Sequence, residues 1–170
     1  FKKLKVGDPM DPTVQIGPLA RKDLLDRVAA QVNMTISQGA QLLCGGYTPK
    51  GSGFFYAPTI LGNVKRGMVS EEEEVFGPVA SIIEAKDENE ALEIANHSEF
   101  GLGATVMTRS EERAARFIRD IESGQVFVNG MTKSTPQLPF GGVKNSGYGR
   151  ELGRYGILEF VNVKTIWKKF

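Results

Sequence analysis

The sequence predicts an α/β fold in which helices flank a largely parallel sheet. Short apolar segments with strand character alternate along the chain with helical segments of about ten residues, and this order is typical of parallel sheets. Of the 170 residues, 41% are hydrophobic and 24% are charged, which is the balance of a globular protein. No apolar run approaches the roughly 20 residues that a membrane-spanning helix needs.

The charge composition excludes several classes of partner. The 21 basic and 20 acidic side chains leave a net charge of +1, so nothing marks a nucleic-acid-binding surface or an anionic membrane surface. One cysteine, Cys44, and the lack of a secretory signal pattern indicate a reducing, cytoplasmic compartment. Because one cysteine and one histidine, His97, cannot make a standard structural zinc site, we expect no metal.

The first half of the chain contains one clear helix. Residues 1–9 look like the last turn of a helix without its beginning, so we expect that the chain was cut from something longer. Apolar residues at positions 24, 25, 28, 32 and 36 recur at helical spacing and predict a helix over 21–37, which Gly39 ends. Strands are predicted at 41–44 and around 54–57.

The second half of the chain alternates between strands and helices. A helix is predicted to begin after Asp87, because Glu90 three residues later makes a pattern that resembles a capping box. The remaining predicted elements are strands at 79–85, 104–107, 126–128 and 160–167, and a helix at 111–121.

Two residues with catalytic chemistry are better explained structurally. Cys44 lies in an apolar strand with no base near it in sequence, and apolar burial disfavours the reactive thiolate. His97 lies at a predicted helix end, where the helix dipole favours a cation. We therefore predict that neither Cys44 nor His97 is catalytic.

Two glycine patterns imitate a dinucleotide-binding loop. That loop needs glycines in the order G-x-G-x-x-G between a strand and the following helix. The pattern at 101–103 precedes a strand, and the pattern at 147–153 has its last glycine one place too late. A small free-standing nucleotide-binding domain is therefore a weak alternative.

The acidic run 71–74 ends in a possible nucleoside site. Four adjacent carboxylates usually mark a solvated segment. However, Phe76 follows Glu74 by two residues and precedes a Gly-Pro turn. A carboxylate can accept hydrogen bonds from a ribose diol, and an aromatic ring can lie against a flat heteroaromatic ring. Glu74 and Phe76 could thus hold a nucleoside.

Residues 139–151 (PFGGVKNSGYGRE) form the second unusual stretch. Four glycines lie within nine residues, which indicates positive φ angles or close backbone approach at several points. An ordinary surface loop is the alternative, but the apolar and charged residues between the glycines favour a packed, shaped loop. Loops of this kind on rigid scaffolds often carry binding sites.

Several segments, taken together, resemble the NAD(P)-dependent aldehyde dehydrogenase superfamily. Residues 74–78 (EVFGP), 95–102 (ANHSEFGL), 124–129 (GQVFVN) and 139–151 match its C-terminal signatures in order and spacing. The resemblance covers essentially the whole chain. Residues 129–131 (NGM) and 153–157 (GRYGI) look most similar to the bacterial succinate-semialdehyde dehydrogenases within this family.

The resemblance implies a reaction and a division of the chain. Family members use a cysteine thiolate to attack an aldehyde, transfer hydride to NAD or NADP, and release the acid with the help of a glutamate base. The resemblance places those groups, and the residue that chooses between NAD and NADP, before Phe1. It also implies that residues 1–157 are an incomplete C-terminal part of the catalytic domain and that residues 158–170 are an oligomerisation strand of a homodimer or homotetramer.

The same resemblance assigns four site residues. Glu74 matches the ligand of the nicotinamide ribose, and Phe76 matches the aromatic beside the nicotinamide. Phe140 matches an aromatic of the substrate tunnel, and Ser134 lies where succinate-semialdehyde dehydrogenases place a serine for the substrate carboxylate. The arginines expected to pair with that serine are absent from the chain.

The expected activity is therefore oxidation of a small aldehyde, with succinic semialdehyde as a candidate. As an alternative, the polypeptide by itself is a non-catalytic structural or oligomerisation module.

Overall fold

The structure, a computed structural model, describes residues 1–170 as two compact units, 1–86 and 87–170. Both units combine helices with short strands, so the predicted α/β class is confirmed. The sheets are mixed and not largely parallel, because two of the four strand pairings are antiparallel. The division into residues 1–157 and 158–170 stays a prediction.

One long helix organises the first unit. Helix α1 spans Lys22–Ser37, as predicted. Three of its apolar side chains are buried on one face, namely those of Leu25, Val28 and Val32. Gly39 follows the helix with a φ of +110°, a left-handed conformation that favours glycine and ends the helical path.

A three-stranded sheet packs with this helix. Strand β1 (Gln41–Cys44) pairs antiparallel with β2 (Thr59–Gly62), and β2 pairs parallel with β3 (Val79–Ser81). The short helix α2 (Val69–Glu72) lies between β2 and β3 in the chain. The buried core of this unit consists of Leu25, Val28, Val32, Ala40, Tyr56, Leu61, Val64 and Met68.

Three predictions for this unit need correction. No strand forms at 54–57; the strand begins instead at Thr59, after Pro58, which has no N–H for a strand ladder. The strand predicted over 79–85 ends at Ser81. The expected helix end at 1–9 is absent, because residues 1–4 form a turn and Val6 pairs with Ile16.

The second unit begins with a capped helix. Helix α3 spans Glu88–His97, and the Asp87 side chain accepts a hydrogen bond from the Glu90 N–H at 2.9 Å. The predicted N-terminus of this helix is thus confirmed. Strand β4 (Phe100–Gly101) follows it and pairs antiparallel with β7 (Val143–Lys144).

A strand–helix–strand unit completes the framework. Strand β5 (Ala104–Val106) leads through α4 (Glu111–Asp120) to β6 (Val126–Val128), and β5 and β6 are parallel. A helical crossover of this kind is the usual connection between parallel neighbours. The Ser110 hydroxyl caps α4 by accepting the Arg113 N–H at 3.1 Å.

The C-terminal segment differs from the sequence prediction. A short helix that was not predicted, α5, spans Gly153–Leu158. Residues 160–167 form no strand in this single chain, although their alternating pattern predicts one. A strand needs a neighbouring strand for its backbone hydrogen bonds, so a pattern alone cannot produce it. None of the helices has the length and apolar character that a membrane crossing requires.

Candidate active site

The segment that carries Glu74 and Phe76 connects α2 to β3. Val75 packs against the core of the first unit, whereas Glu74 and Phe76 on either side of it are exposed. Phe76 keeps 70% of its surface accessible. An exposed aromatic ring beside an exposed carboxylate can be contacted by a ligand without any change in the core.

The backbone of this segment is fixed from three sides. The side-chain amide of Gln31, on α1, donates to the Glu74 carbonyl oxygen at 3.2 Å. The Thr59 N–H donates to the Pro78 carbonyl oxygen at 2.9 Å. Gly77 lies so close to α1 that an added Cβ would be 2.9 Å from a methyl group of Val28. The two exposed side chains therefore project from an anchored backbone.

The carboxylates of the acidic run differ in their partners. Glu71 accepts a hydrogen bond from the Gly67 N–H at 3.1 Å, and Glu73 accepts one from the Gln31 amide at 2.8 Å. Arg27 lies 3.9 Å from the same Glu73 carboxylate. The carboxylates of Glu72 and Glu74 have no hydrogen bond or ion pair within the chain. Glu74 thus combines an anchored backbone with a carboxylate that is available to a ligand.

Gln31 was not identified from the sequence. The signal was present, because position 31 lies three residues after Val28 and four before Thr35, on the buried face of α1. A glutamine at such a position needs polar partners inside the molecule. Those partners, the side chain of Glu73 and the carbonyl of Glu74, are more than 40 residues away in sequence.

In the second unit, a backbone pairing closes the glycine-rich loop. The Phe140 N–H donates to the Glu151 carbonyl oxygen at 2.7 Å, and the Glu151 N–H donates back to Phe140 at 2.8 Å. Inside the loop, the Arg150 guanidinium donates to the carbonyl oxygen of Gly142 at 2.8 Å. Phe140 is half-buried at the base of this closed loop. The loop is thus packed and shaped, as its composition predicts.

The loop also depends on a close backbone approach. An added Cβ on Gly124 would lie 1.8 Å from the Gly141 carbonyl oxygen, well inside van der Waals contact. The Gly124 N–H donates to the Gly101 carbonyl oxygen at 2.9 Å. Only glycine at position 124 lets the strand β6 region and the loop meet in this way.

Ser134 lies on an exposed segment between β6 and the glycine-rich loop. Its hydroxyl has no hydrogen-bond partner within the chain. Backbone bonds hold the residues after it, since Leu138 N–H donates to Thr135 O at 3.1 Å and Gly153 N–H donates to Pro136 O at 3.0 Å. A free hydroxyl on a held segment can bind a substrate group.

Cys44 has the surroundings of a structural thiol. It is half-buried in β1, and its S–H, a weak donor, donates to the Pro58 carbonyl oxygen with a sulfur–oxygen distance of 3.8 Å. The structure thus gives Cys44 a carbonyl partner and no cationic one, and a reactive thiolate is usually stabilised by a cation. That Cys44 takes no part in catalysis stays a prediction.

Glu74 and Phe76 belong to the first unit, and Ser134 and Phe140 belong to the second. A model of the aldehyde dehydrogenase family matches residues 1–166. The chain belongs to the aldehyde dehydrogenase family. The family resemblance seen in the sequence is therefore confirmed.

Relatives within the aldehyde dehydrogenase family are considerably longer than this chain. Succinate-semialdehyde dehydrogenase (NADP(+)) 1 of Mycobacterium ulcerans is 53% identical over 164 residues, which are 96% of this chain and 36% of that protein. The protein of the same name from Mycobacterium tuberculosis H37Rv is 52% identical over the same share. The chain thus spans about a third of the length of these relatives.

Solved structures of family members have the same backbone fold. Succinic semialdehyde dehydrogenase from Streptococcus pyogenes, in complex with NADP+, superimposes with a TM-score of 0.93 at 40% identity over 98% of this chain and 37% of that one. An aldehyde dehydrogenase from Mycobacterium tuberculosis, complexed with NAD+, gives 0.88 at 40% identity over 94% of this chain and 33% of that one.

Proposed function

We propose that the protein containing this chain oxidises an aldehyde to the carboxylic acid, with NAD+ or NADP+ as the oxidant. Family membership and relatives of about half identity that are named as dehydrogenases support this reaction. In the balanced reaction, aldehyde, water and NAD(P)+ give the acid, NAD(P)H and a proton. A cytoplasmic location is part of the proposal and rests on the single cysteine, Cys44.

The observation that carries the proposal is that Glu74 has a fixed backbone and an unpartnered carboxylate. Its carbonyl is bound by a buried amide, whereas its carboxylate has no partner within the chain, and Phe76 is exposed two residues later. We assign the Glu74 carboxylate to the hydroxyls of the nicotinamide ribose and the Phe76 ring to the side of the nicotinamide. Bound NAD(P)+ supplies the capacity to accept two electrons from the aldehyde carbon.

In this proposal, the residues of the chain bind and orient but do not react. The nucleophilic thiol comes from sequence outside these 170 residues, as the family resemblance implies. Phe140, at the base of the closed loop, lines the path of the aldehyde. Ser134 donates its free hydroxyl to the distal carboxylate of a substrate such as succinic semialdehyde, a choice supported by the names of the relatives.

The Glu74 assignment is tested by Glu74→Gln in the full-length enzyme. An amide keeps the shape of the side chain but loses the charge that strengthens hydrogen bonds to hydroxyls. We expect cofactor Kd to rise, or the rate of reduced cofactor formation to fall, by about tenfold. Stopped-flow absorbance and a cofactor titration measure the two quantities.

Glu72→Gln is the matched control for this experiment. Glu72 lies in the same acidic run, is exposed, and its carboxylate also has no hydrogen-bond partner within the chain, but it precedes the anchored segment. The control should keep both quantities within twofold of wild type. Equal behaviour of the two variants would rule out a ribose role for Glu74.

A second function, in assembly, is favoured by the C-terminal segment. Five of its large apolar side chains are at least 72% exposed, a pattern that isolated surface residues do not explain. These residues are Phe160, Val163, Ile166, Trp167 and Phe170. We propose that residues 158–170 form a strand against another subunit in a homodimer or homotetramer, whether or not the chain contributes to catalysis.

Light scattering on full-length variants tests the assembly role. Val163→Asp places a charge on the strand face that Val161, Val163 and Trp167 share, and it should shift the protein towards smaller species. Asn162→Asp adds the same charge on the opposite face, at an exposed position, and should leave the mass unchanged. An unchanged mass for both variants would argue against a subunit contact at this segment.

A further inference from the structure

Polar side chains on one face of α1 form hydrogen bonds with the segment that ends in Glu74. Gln31, Thr35 and Gln38 are spaced four and three residues apart, so their side chains lie along one face of the helix. The Gln38 side-chain oxygen accepts the Val69 N–H at 2.9 Å, and the Thr35 hydroxyl accepts the Ser70 N–H at 3.1 Å. These two bonds fix the start of α2, and the bonds of Gln31 fix the segment after its end.

Burying the polar side chain of Gln31 at this position costs folding free energy. It is 5% exposed, and it lies on the same helix face as the buried Val28. Its Nε2 bonds to both the Glu73 carboxylate and the Glu74 carbonyl, but its Oε1 is buried and has no donor within the chain. Because a buried oxygen without a donor costs free energy, an apolar side chain of equal size would pack here more favourably. What the glutamine adds is its pair of bonds to residues 73 and 74.

Those two bonds treat Glu73 and Glu74 differently, because Gln31 binds the carboxylate of Glu73 but only the backbone carbonyl of Glu74. The amide binds the Glu73 carboxylate, which lies 3.9 Å from Arg27, and also binds the carbonyl of the next residue. The Glu74 carbonyl belongs to the planar Glu74–Val75 peptide, and the Glu73 side chain leaves the chain one residue earlier. Fixing both restricts the backbone angles of Glu74 and so the direction in which its side chain projects. The Glu74 carboxylate is thereby kept out of internal ion pairs.

We propose that Gln31 is a positioning residue that orients Glu74 for the ribose of the cofactor. The proposal rests on the ribose role of Glu74 given above and names the residue through which the fold sets that role. Gln31 itself does not touch the cofactor. Thr35 and Gln38 support it by holding the other end of the same short segment against α1.

A double-mutant cycle in the full-length enzyme tests the proposal. Gln31→Met keeps the length of the side chain and removes both donors. We expect cofactor Kd to rise about fivefold in this variant, and we expect the change to disappear when Glu74 is already glutamine. A purely structural role predicts something else, namely that the two effects multiply, because a loss of packing would not depend on the Glu74 carboxylate.

The controls separate this proposal from the proposed function. Gln41→Met makes the same change at an exposed position of β1 and should leave Kd unchanged. If Glu74→Gln alone has no effect, the ribose role is wrong. If Glu74→Gln weakens binding and Gln31→Met adds its full effect on top, the positioning role is wrong while the ribose role stands.

A second variant keeps the test informative if Gln31→Met does not fold. Glu73→Ala changes an exposed residue and removes one of the two acceptors of the Gln31 amide. We expect a smaller rise in cofactor Kd that also disappears in the Glu74→Gln background. Multiplying effects in this cycle would overturn the positioning role in the same way.

Discussion

The side chain of Asn129 binds both backbone groups of Thr108 and so closes the end of the β5–β6 pair. Its oxygen accepts the Thr108 N–H at 2.9 Å, and its amide donates to the Thr108 carbonyl oxygen at 2.8 Å. Asn129 does this from a left-handed conformation, with a φ of +53°. The chain therefore leaves β6 in a fixed direction, and the segment that carries Ser134 starts from this point.

We expect Asn129→Ala to destabilise this strand end by about 2 kcal/mol, from the loss of two hydrogen bonds and the strain of alanine at positive φ. Hydrogen–deuterium exchange of the peptide that contains 104–110 should become faster in the full-length protein. Asn63→Ala is the matched control. Asn63 has a similar φ of +50° but only one long bond, 3.5 Å to Gly39.

In the control, exchange around β2 should increase less than exchange around β5 does in Asn129→Ala, because only the backbone strain is shared by the two variants. Similar increases at both sites would mean that the two bonds to Thr108 contribute little to the stability of the strand end.

Gly124→Ala should disrupt the glycine-rich loop. The new methyl group would lie 1.8 Å from the Gly141 carbonyl oxygen, and backbone atoms on both sides would have to move. We expect a loss of about 3 kcal/mol or more, at the upper end of the cost of overpacking. A lower thermal midpoint and a lower yield of folded protein are the measurements.

Gly130→Ala serves as the comparison, since the nearest atom to its added methyl group is 3.9 Å away and its φ is not positive. This variant should unfold within about a degree of wild type, given that uncrowded surface changes cost little. Equal midpoints for the two variants would show that the loop relaxes without cost, and the tight packing at Gly124 would then be unimportant.

The pH dependence of stability should reveal the burial of Tyr56. Burial raises the pKa of this phenol above its ordinary value of 10.0, because the charged form loses its hydration. The unfolded chain therefore releases the proton at lower pH than the folded chain does. The stabilisation is complete below pH 10 and is lost as the pH rises through the folded-state pKa.

Chemical denaturation of wild type and Tyr56→Phe between pH 9 and pH 11 tests this expectation. The free energy of unfolding of wild type should fall more steeply above about pH 10 than that of Tyr56→Phe. Tyr148→Phe, at a fully exposed position, retains Tyr56 and should keep the wild-type fall. Parallel curves for wild type and Tyr56→Phe would contradict the raised pKa.

The parts of the fold that the sequence predicts are those with local physical causes. The helix over 21–37 follows from apolar spacing, and the start of α3 follows from the Asp87 and Glu90 pair; both are confirmed. The direction of pairing between strands was predicted less well, because it depends on contacts between distant segments. Thus β1 and β2, which follow one another without a helix between them, are antiparallel.

In the candidate site, too, the sequence predicts the features with local causes and misses those that depend on distant contacts. The types of residue at positions 74 and 76 indicate a nucleoside-binding pair from sequence alone, and their assigned roles stay predictions. The anchoring of that pair by Gln31 could not be derived, since it joins residues more than 40 positions apart. The strand predicted at 160–167 does not form in the single chain, because no strand of the three sheets pairs with this segment.

Ser134→Ala tests the substrate class separately from the cofactor site. The Ser134 hydroxyl is exposed and has no partner within the chain, so its removal should not affect the fold. A hydroxyl that donates to a carboxylate contributes to binding only when the substrate has that carboxylate. We therefore expect KM for succinic semialdehyde to rise about fivefold to tenfold, and KM for an uncharged aldehyde of equal length to change less than twofold.

Ser52→Ala, in an exposed loop of the first unit, is the matched control and should leave both KM values unchanged. The comparison between substrates carries the argument, because a general disturbance of the segment would raise KM for both aldehydes together. Such a parallel rise would remove the carboxylate role from Ser134 while leaving the proposed dehydrogenase reaction intact. A rise confined to succinic semialdehyde would place the distal carboxylate of the substrate next to this serine.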